Sequence, residues 1–203
     1  MRILVLDPHG DDGIAGCGGT LVRYKNEEIM YVVVSNSVQS LPPDVTEEDF
    51  VREYETAIEI ISPSSSIYSL RMPVRRFNEV RQDILEHFVM LYKDFKPDMV
   101  FTPSSTDIHQ DHKTVYEESV RAFKKATILG YDFPWNNITF TSTSFVKLDK
   151  GIMRLKHKAL EAYKSQEHRS YMNDDFMINL AKVRGNQIGV QYAEAFEVVR
   201  WII

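Results

Sequence analysis

Cysteine is almost missing from this chain: Cys17 is the only one in 203 residues. That excludes an internal disulfide and any cysteine-based zinc site. Long apolar runs are missing too, and nothing approaches the ~20 residues that cross a bilayer as a helix. After Arg2 the first apolar stretch stops at Asp7, too soon for the apolar part of a secretory leader. Basic clusters are scarce: Lys124 and Lys125 form the one adjacent lysine pair, and the net charge is −5. No nucleic-acid partner is expected from such a balance. Internal repeats, low-complexity tracts and linkers are absent as well. What remains is 43% hydrophobic and 26% charged, an ordinary globular mixture. The expectation is one domain over 1–203, soluble and cytoplasmic, with no membrane segment and an open oligomeric state.

Hydrophobic periodicity orders the chain. Residues 2–6 and 31–35 read as buried strands, β-branched or leucine-rich without alternation. Between them lie Gly13, Gly16, Gly18 and Gly19, after which Thr20 opens a helix. Thr46 and Asp49 are spaced as a capping pair with Glu47 and Glu48 in the first turn. The helix they start runs to about Ile61, with Phe50, Tyr54, Ala57, Ile58 and Ile61 as its apolar stripe. A strand is expected over 67–72. The clearest helix covers 79–95, where Val80, Ile84, Leu85, Phe88, Leu91, Tyr92 and Phe95 share a face. Lys96-Pro97-Asp98 stops it, and a strand over 99–102 follows. Beyond it the pattern gives a helix over 111–126, a strand over 138–148, helices over 152–165 and 174–184, and a closing strand over 195–203. Alternating strands and helices predict an α/β fold, a Rossmann-like and mostly parallel sheet with helices on both faces.

Two of these strands end in metal-capable side chains. His9, Asp11 and Asp12 follow the first, and His109, Asp111 and His112 follow 99–102. Open α/β sheets bind ligands at the carboxyl ends of their strands. If the two strands are neighbours, the clusters meet. A catalytic zinc takes three His or carboxylate ligands and leaves a position open. His9 and Asp12, three apart on a tight loop, suit two of them, and His112 the third. Asp11 cannot ligate alongside its neighbour and suits a general base. His109 faces the same cavity as an oxyanion stabiliser or acid, with Asp111 to orient it. Iron or cobalt is accommodated by the same donors.

Taken singly, each cluster has an ordinary reading. His-x-x-His is commonly a surface pair, and Asp-Asp after a strand is commonly a turn. Their conjunction, in a chain with 6 histidines, is what carries weight. His87, His157 and His168 read as surface or packing residues, and Asp107 as a helix-entry residue. The glycines do not make a dinucleotide site: position 21 is Leu, and Asp11 and Asp12 would face a pyrophosphate. A P-loop needs Lys where Gly19 stands. The glycines are expected instead to let a helix approach the sheet, with Cys17 packed beside them. Two His and one carboxylate also describe a non-haem iron oxygenase, or a metal-binding protein without catalysis. Tyr131 to Trp135 reads equally as a sugar platform or a packed loop.

Together these residues resemble the PIG-L/LmbE family of zinc-dependent N-deacetylases. The family's first motif, Ala-His-Pro-Asp-Asp-Glu with a following Gly-Gly-Thr-hydrophobe stretch, is similar to Pro8-His9-Gly10-Asp11-Asp12-Gly13 and Gly18-Gly19-Thr20-Leu21. Its second, His-Pro-Asp-His, is similar to His109-Gln110-Asp111-His112. Arg52-Glu53, the segment from Lys158 to Ser165-Gln166, and Ala193-Glu194-Ala195-Phe196 match further pieces. The resemblance implies His9, Asp12 and His112 as zinc ligands and Asp11 as base. It also implies His109 as oxyanion-stabilising or acid residue supported by Asp111, and Arg52 as a substrate contact. The implied substrate is a small N-acetylated amino sugar or conjugate. Two departures are visible: Gly10 replaces the motif's Pro, loosening the loop, and Gly13 replaces its Glu.

Overall fold

A computed structural model describes residues 1–202. Its first half runs β1 (Arg2–Asp7), α1 (Asp12–Arg23), β2 (Glu28–Val33), α2 (Glu47–Ile61), β3 (Ser66–Ser69), α3 (Arg81–Asp94) and β4 (Met99–Pro103). Then come α4 (Gln110–Ala122), β5 (Thr127–Tyr131), β6 (Ser144–Leu148), α5 (Lys150–Leu160), α6 (Asp174–Gln187) and β7 (Tyr192–Arg200). The strands form one sheet in the order β3-β2-β1-β4-β5-β7-β6. The first five are parallel, and β7 is antiparallel to both β5 and β6.

Both faces of the central strand are apolar, which forces helices onto both sides. Ile3 and Val5 point into one core with Ile14, Phe50, Ile58 and Ala159. Leu4 and Leu6 point into the other with Ile84, Phe88, Val115 and Phe123. Thus α1, α2 and α5 cover one face and α3 and α4 the other. Helix α2 is built as its sequence implies. Both capping bonds between Thr46 and Asp49 are present, and its buried residues are Phe50, Tyr54, Ala57, Ile58 and Ile61. Among the described residues, no helix is long and apolar enough to cross a membrane.

Several boundaries differ from the periodicity. Helix α1 starts at Asp12, so Thr20 lies in its last turns rather than its first. Glycine costs ~1 kcal/mol per helical position relative to alanine, but here close packing outweighs propensity. A Cβ on Gly16 would come within 2.6 Å of the Tyr131 ring. Helix α4 ends at Ala122, and the residues just beyond its expected end form strand β5. Only Ser144–Leu148 of the expected strand over 138–148 pairs. The expected helix over 152–165 divides into α5 and a 3-10 turn at Lys164–Gln166. The closing strand begins earlier, at Tyr192, and Ile203 lies outside the described residues.

Candidate metal centre

Strands β1 and β4 are parallel neighbours, with Ile3, Leu4 and Val5 opposite Met99, Val100 and Phe101. Sheet order reverses between them, so their carboxyl ends open the crevice where such sheets bind ligands. His9 lies in the loop after β1, Asp12 begins α1, and His112 sits in the first turn of α4. Three of their atoms converge. His9 Nδ1 is 3.1 Å from Asp12 Oδ2 and 3.1 Å from His112 Nε2, which is 3.2 Å from Asp12 Oδ2. A tetrahedral zinc with bonds of ~2.0–2.1 Å holds its ligand atoms about 3.3 Å apart, so this triangle fits one divalent ion. Ring nitrogens of His9, His109 and His112 also lie within 4.8 Å of one another. The tighter set is the one that includes Asp12, whose three atoms lie 3.1–3.2 Å apart, and His109 Nδ1 accepts instead from Asp111 N at 3.2 Å.

Each histidine of that set has its far nitrogen against a buried carboxylate. His9 Nε2 meets Asp111 Oδ2 at 3.0 Å, and His112 Nδ1 meets Asp107 Oδ2 at 2.7 Å. Such partners fix ring orientation and raise ligand basicity. This corrects the expected place of Asp111. Its carboxylate serves His9 and accepts from Arg75 N at 2.6 Å, and only its backbone N–H reaches His109. Asp107 does more than enter a helix: Oδ1 accepts from His109 N at 2.8 Å while Oδ2 holds His112. Its spacing five residues before His112 was the available signal.

Burial and crowding separate the pKa values of these groups. Burial resists a charge on His9, but hydrogen bonds to Asp111 and Asp12 outweigh it and push the imidazole up to about 9. Burial likewise resists a charge on His112, and Asp12 with Asp107 push it to about 10. His112 and His9 hold Asp12 well below the carboxylate range despite its burial. Asp11 goes the other way, up to about 6, because burial and then Asp12 oppose its charge while Arg169 favours it. Burial, then His112 and His9, push His109 down to about 4.

Residues 4–123 match the family described as GlcNAc-PI de-N-acetylase, PIG-L. The chain belongs to the PIG-L family. It is 27% identical over 169 residues to the uncharacterized deacetylase YaiS of Escherichia coli (strain K12), covering 80% of this chain and 90% of that protein. Two solved structures share the fold. GalB, the 4-carboxy-2-hydroxymuconate hydratase of Pseudomonas putida KT2440, is 17% identical with a TM-score of 0.82 over 100% of this chain and 97% of its own. The N,N'-diacetylchitobiose deacetylase of Pyrococcus horikoshii is 22% identical with a TM-score of 0.76 over 98% and 83%. One fold therefore carries a hydratase and a deacetylase, and chemistry must be argued from the site.

The PIG-L match ends at residue 123, and one wall of the cleft comes from beyond it. The cleft has a volume of about 270 Å³ and is lined by Asp11, His109, Arg75, Trp135, Gln166 and Arg169 among others. Trp135 and Tyr171 stack at 4.2 Å and 8°, and the Arg169 guanidinium lies 5.7 Å from the Tyr171 ring centre. The aromatic segment thus divides: Tyr131 and Phe133 are fully buried, while Trp135 faces the cleft. Arg52 does not reach it. Its side chain is 68% exposed and pairs with Asp49 at 2.5 Å, because the α2 stripe turns that position outward. Its neighbour Glu53 instead accepts from Ser165 N and Oγ, at 2.8 and 2.6 Å, and so anchors the segment carrying Gln166. Arg75 and Arg169 are the cleft's arginines, and neither stands out by spacing alone.

Proposed function

We propose that the chain is one PIG-L domain over 1–203 that hydrolyses the amide of an N-acetylated amino sugar or sugar conjugate. Zinc is the ion assigned to His9 Nδ1, Asp12 Oδ2 and His112 Nε2, although iron or cobalt suits the same donors. The observation that carries this reading is that triangle of 3.1–3.2 Å contacts, in one cleft with Asp11 and His109. A divalent ion, when bound there, polarises a carbonyl and makes water a nucleophile near neutral pH.

The protein's own groups supply the proton transfers. Asp11, at about 6, is charged at pH 7 yet more basic than an ordinary carboxylate, which suits taking a proton from water. Water adds to the acetyl carbonyl carbon, the C–N bond breaks, and the proton on Asp11 goes to the leaving amine. Acetate and the free amino compound depart. His109 is neutral at pH 7, and its Nδ1 is occupied by Asp111 N–H, so its proton sits on Nε2. That arrangement favours a hydrogen bond to the oxygen that gains charge over service as an acid.

The family description and the cleft support an amino sugar. A volume of about 270 Å³ lies at the small end of ligand sites, and Trp135 and Tyr171, stacked on each other, add aromatic surface to its wall. The substrate in this reading is a small cytoplasmic molecule, in keeping with a chain of net charge −5 that offers nucleic acid no basic surface. The β-sheet here is largely parallel, unlike the jelly rolls that usually hold non-haem iron oxygenases.

The test is acetate release from a panel of N-acetylated sugars by zinc-loaded protein. Asp11→Asn is expected to lower kcat/KM by ~10²–10⁴, and His109→Ala by ~10²–10³, both with zinc retained. His112→Ala is expected to lose the metal by elemental analysis. Failure of the zinc-loaded wild type to release acetate from any member of the panel would sink the assignment.

A further inference from the structure

The metal loop departs from the PIG-L motif at Gly10, where the motif has Pro, and at Gly13, where it has Glu. Both departures meet the same side chain. Asp7 ends β1 and is fully buried beneath the loop. Its Oδ1 accepts from Gly10 N at 2.7 Å, a bond that proline cannot make for want of an N–H. Gly10 itself sits at φ +87°, which a ring locked near −65° cannot reach. The loop is therefore held by Gly10 rather than loosened by it. The other carboxyl oxygen, Asp7 Oδ2, makes no well-formed hydrogen bond, with only Gly13 N–H beside it. A Cβ on Gly13 would stand 2.9 Å from that oxygen and 2.9 Å from Val5 Cγ1. Asp7 thus lies in the path of any side chain at position 13.

We propose that Asp7, Gly10 and Gly13 act together as one unit that sets the shape of the metal loop. Asp7 provides a fully buried carboxyl group from the end of the strand. Its bond to Gly10 N–H fixes the turn from His9 to Asp12. That turn also carries the His9 N to Asp12 Oδ2 bond of 3.0 Å, so its shape sets the spacing of two candidate ligands. Asp7 is a positioning residue that acts through loop backbone. The glycine at 13 is then required by Asp7, and the glycine at 10 both donates to it and supplies the backbone angle.

A mutant cycle tests this with two readouts. One is zinc affinity by chelator competition, which rests on the metal reading above. The other is thermal unfolding of zinc-stripped protein, which does not. Asp7→Ala is expected to weaken zinc binding by ~10–100-fold, the range usual for residues that orient ligands. Gly13→Ala, made while Asp7 is present, puts a Cβ 2.9 Å from Asp7 Oδ2 and is expected to lower the unfolding temperature. Asp7→Ala together with Gly13→Ala is expected to lose less than the two single losses combined, because the Asp7 oxygen no longer stands in the path of that Cβ. Asp7→Asn keeps an acceptor for Gly10 N–H and should bind zinc within about twofold of wild type, the scatter expected of an uncoupled change. Wild-type affinity in Asp7→Ala, or a double variant whose losses simply add, overturns the proposal. If wild type holds no zinc, the metal reading fails and the unfolding cycle decides alone: a double variant that loses less than the sum supports the coupling, and additive losses refute it.

Discussion

The parallel strands β3-β2-β1-β4-β5 and the antiparallel flank of β7 and β6, with α5 and α6, contribute differently to the cleft. Every candidate ligand, and both carboxylates behind the histidines, come from the parallel part, on loops leaving β1 and β4. The flank and the segments beside it brace those loops and wall the cleft. Lys156 Nζ donates to Ala15 O and to Glu194 Oε1, each at 2.7 Å. Glu194 accepts from Gly19 N at 2.9 Å and Thr20 N at 2.6 Å. Tyr163 OH donates to Gly10 O at 2.7 Å. Strand register sets where the candidate ligands stand, and a few buried polar bonds tie in the part that walls the cleft.

The largest expected effect comes from cutting that tie. Glu194→Ala leaves Lys156 buried without its ion-pair partner, which costs about 3–5 kcal/mol. Urea unfolding measures it, and a loss below about 1 kcal/mol would show that the flank is not braced in this way. The folded variant should keep its zinc affinity, because no ligand lies in the flank.

Next is the pH dependence of metal binding, a property of the parallel part alone. Neighbouring carboxylates push His9 up to about 9 and His112 to about 10, and their facing nitrogens share a hydrogen bond, so a proton held between these candidate ligands at pH 7 must leave before both can ligate. Zinc affinity should rise with pH by about a decade per unit below pH 9 and level off above 10. Calorimetry in buffers of different ionisation enthalpy counts the released protons. Zero released at pH 7 would contradict the assigned ligands.

Arg169→Ala sharpens the contrast from the other side. Removing one charged hydrogen-bond donor from the wall should lower kcat/KM by ~10–100-fold while zinc content stays at wild type. Loss of metal in this variant would blur the division between ligands and walls. The smallest effect belongs far from the cleft. Thr46→Ala removes the α2 cap for about 1 kcal/mol, with unchanged kinetics. Hydrogen bonds from Thr46, then Arg52, hold Asp49 down to about 2. The cap contribution is therefore present above the ordinary carboxylate value of ~3.9 and fades as pH falls toward 2.

Legibility in the sequence follows the same division. The parallel part was readable because its strands are short unbroken apolar runs and α2 and α3 have clean stripes. The two His/Asp clusters stood directly after such runs, so their meeting needed only the β1–β4 adjacency. Strand β5 was missed because Val115, Ser119, Ala122 and Phe123 continue a helical pattern up to its edge. Glycine content hid most of α1, whose helical state is imposed by the sheet beneath it. Arg169 was beyond reach, and Trp135 was legible only as part of a segment that read equally as platform or packed loop: their places depend on irregular backbone that no period encodes. Asp111 was assigned to the nearer histidine in sequence, whereas the turn that opens α4 directs its carboxylate to His9, 102 residues away.

His9 and His112 are separated by 103 positions along the chain. A ribosome must release more than half of the polypeptide before both imidazoles exist outside it. Closing so long a loop without the sheet is entropically costly, so the nascent chain has little hold on a cation. With His9 and His112 as the proposed ligands, metal capture would follow the docking of β4 beside β1, and loading would report that this step of folding is complete.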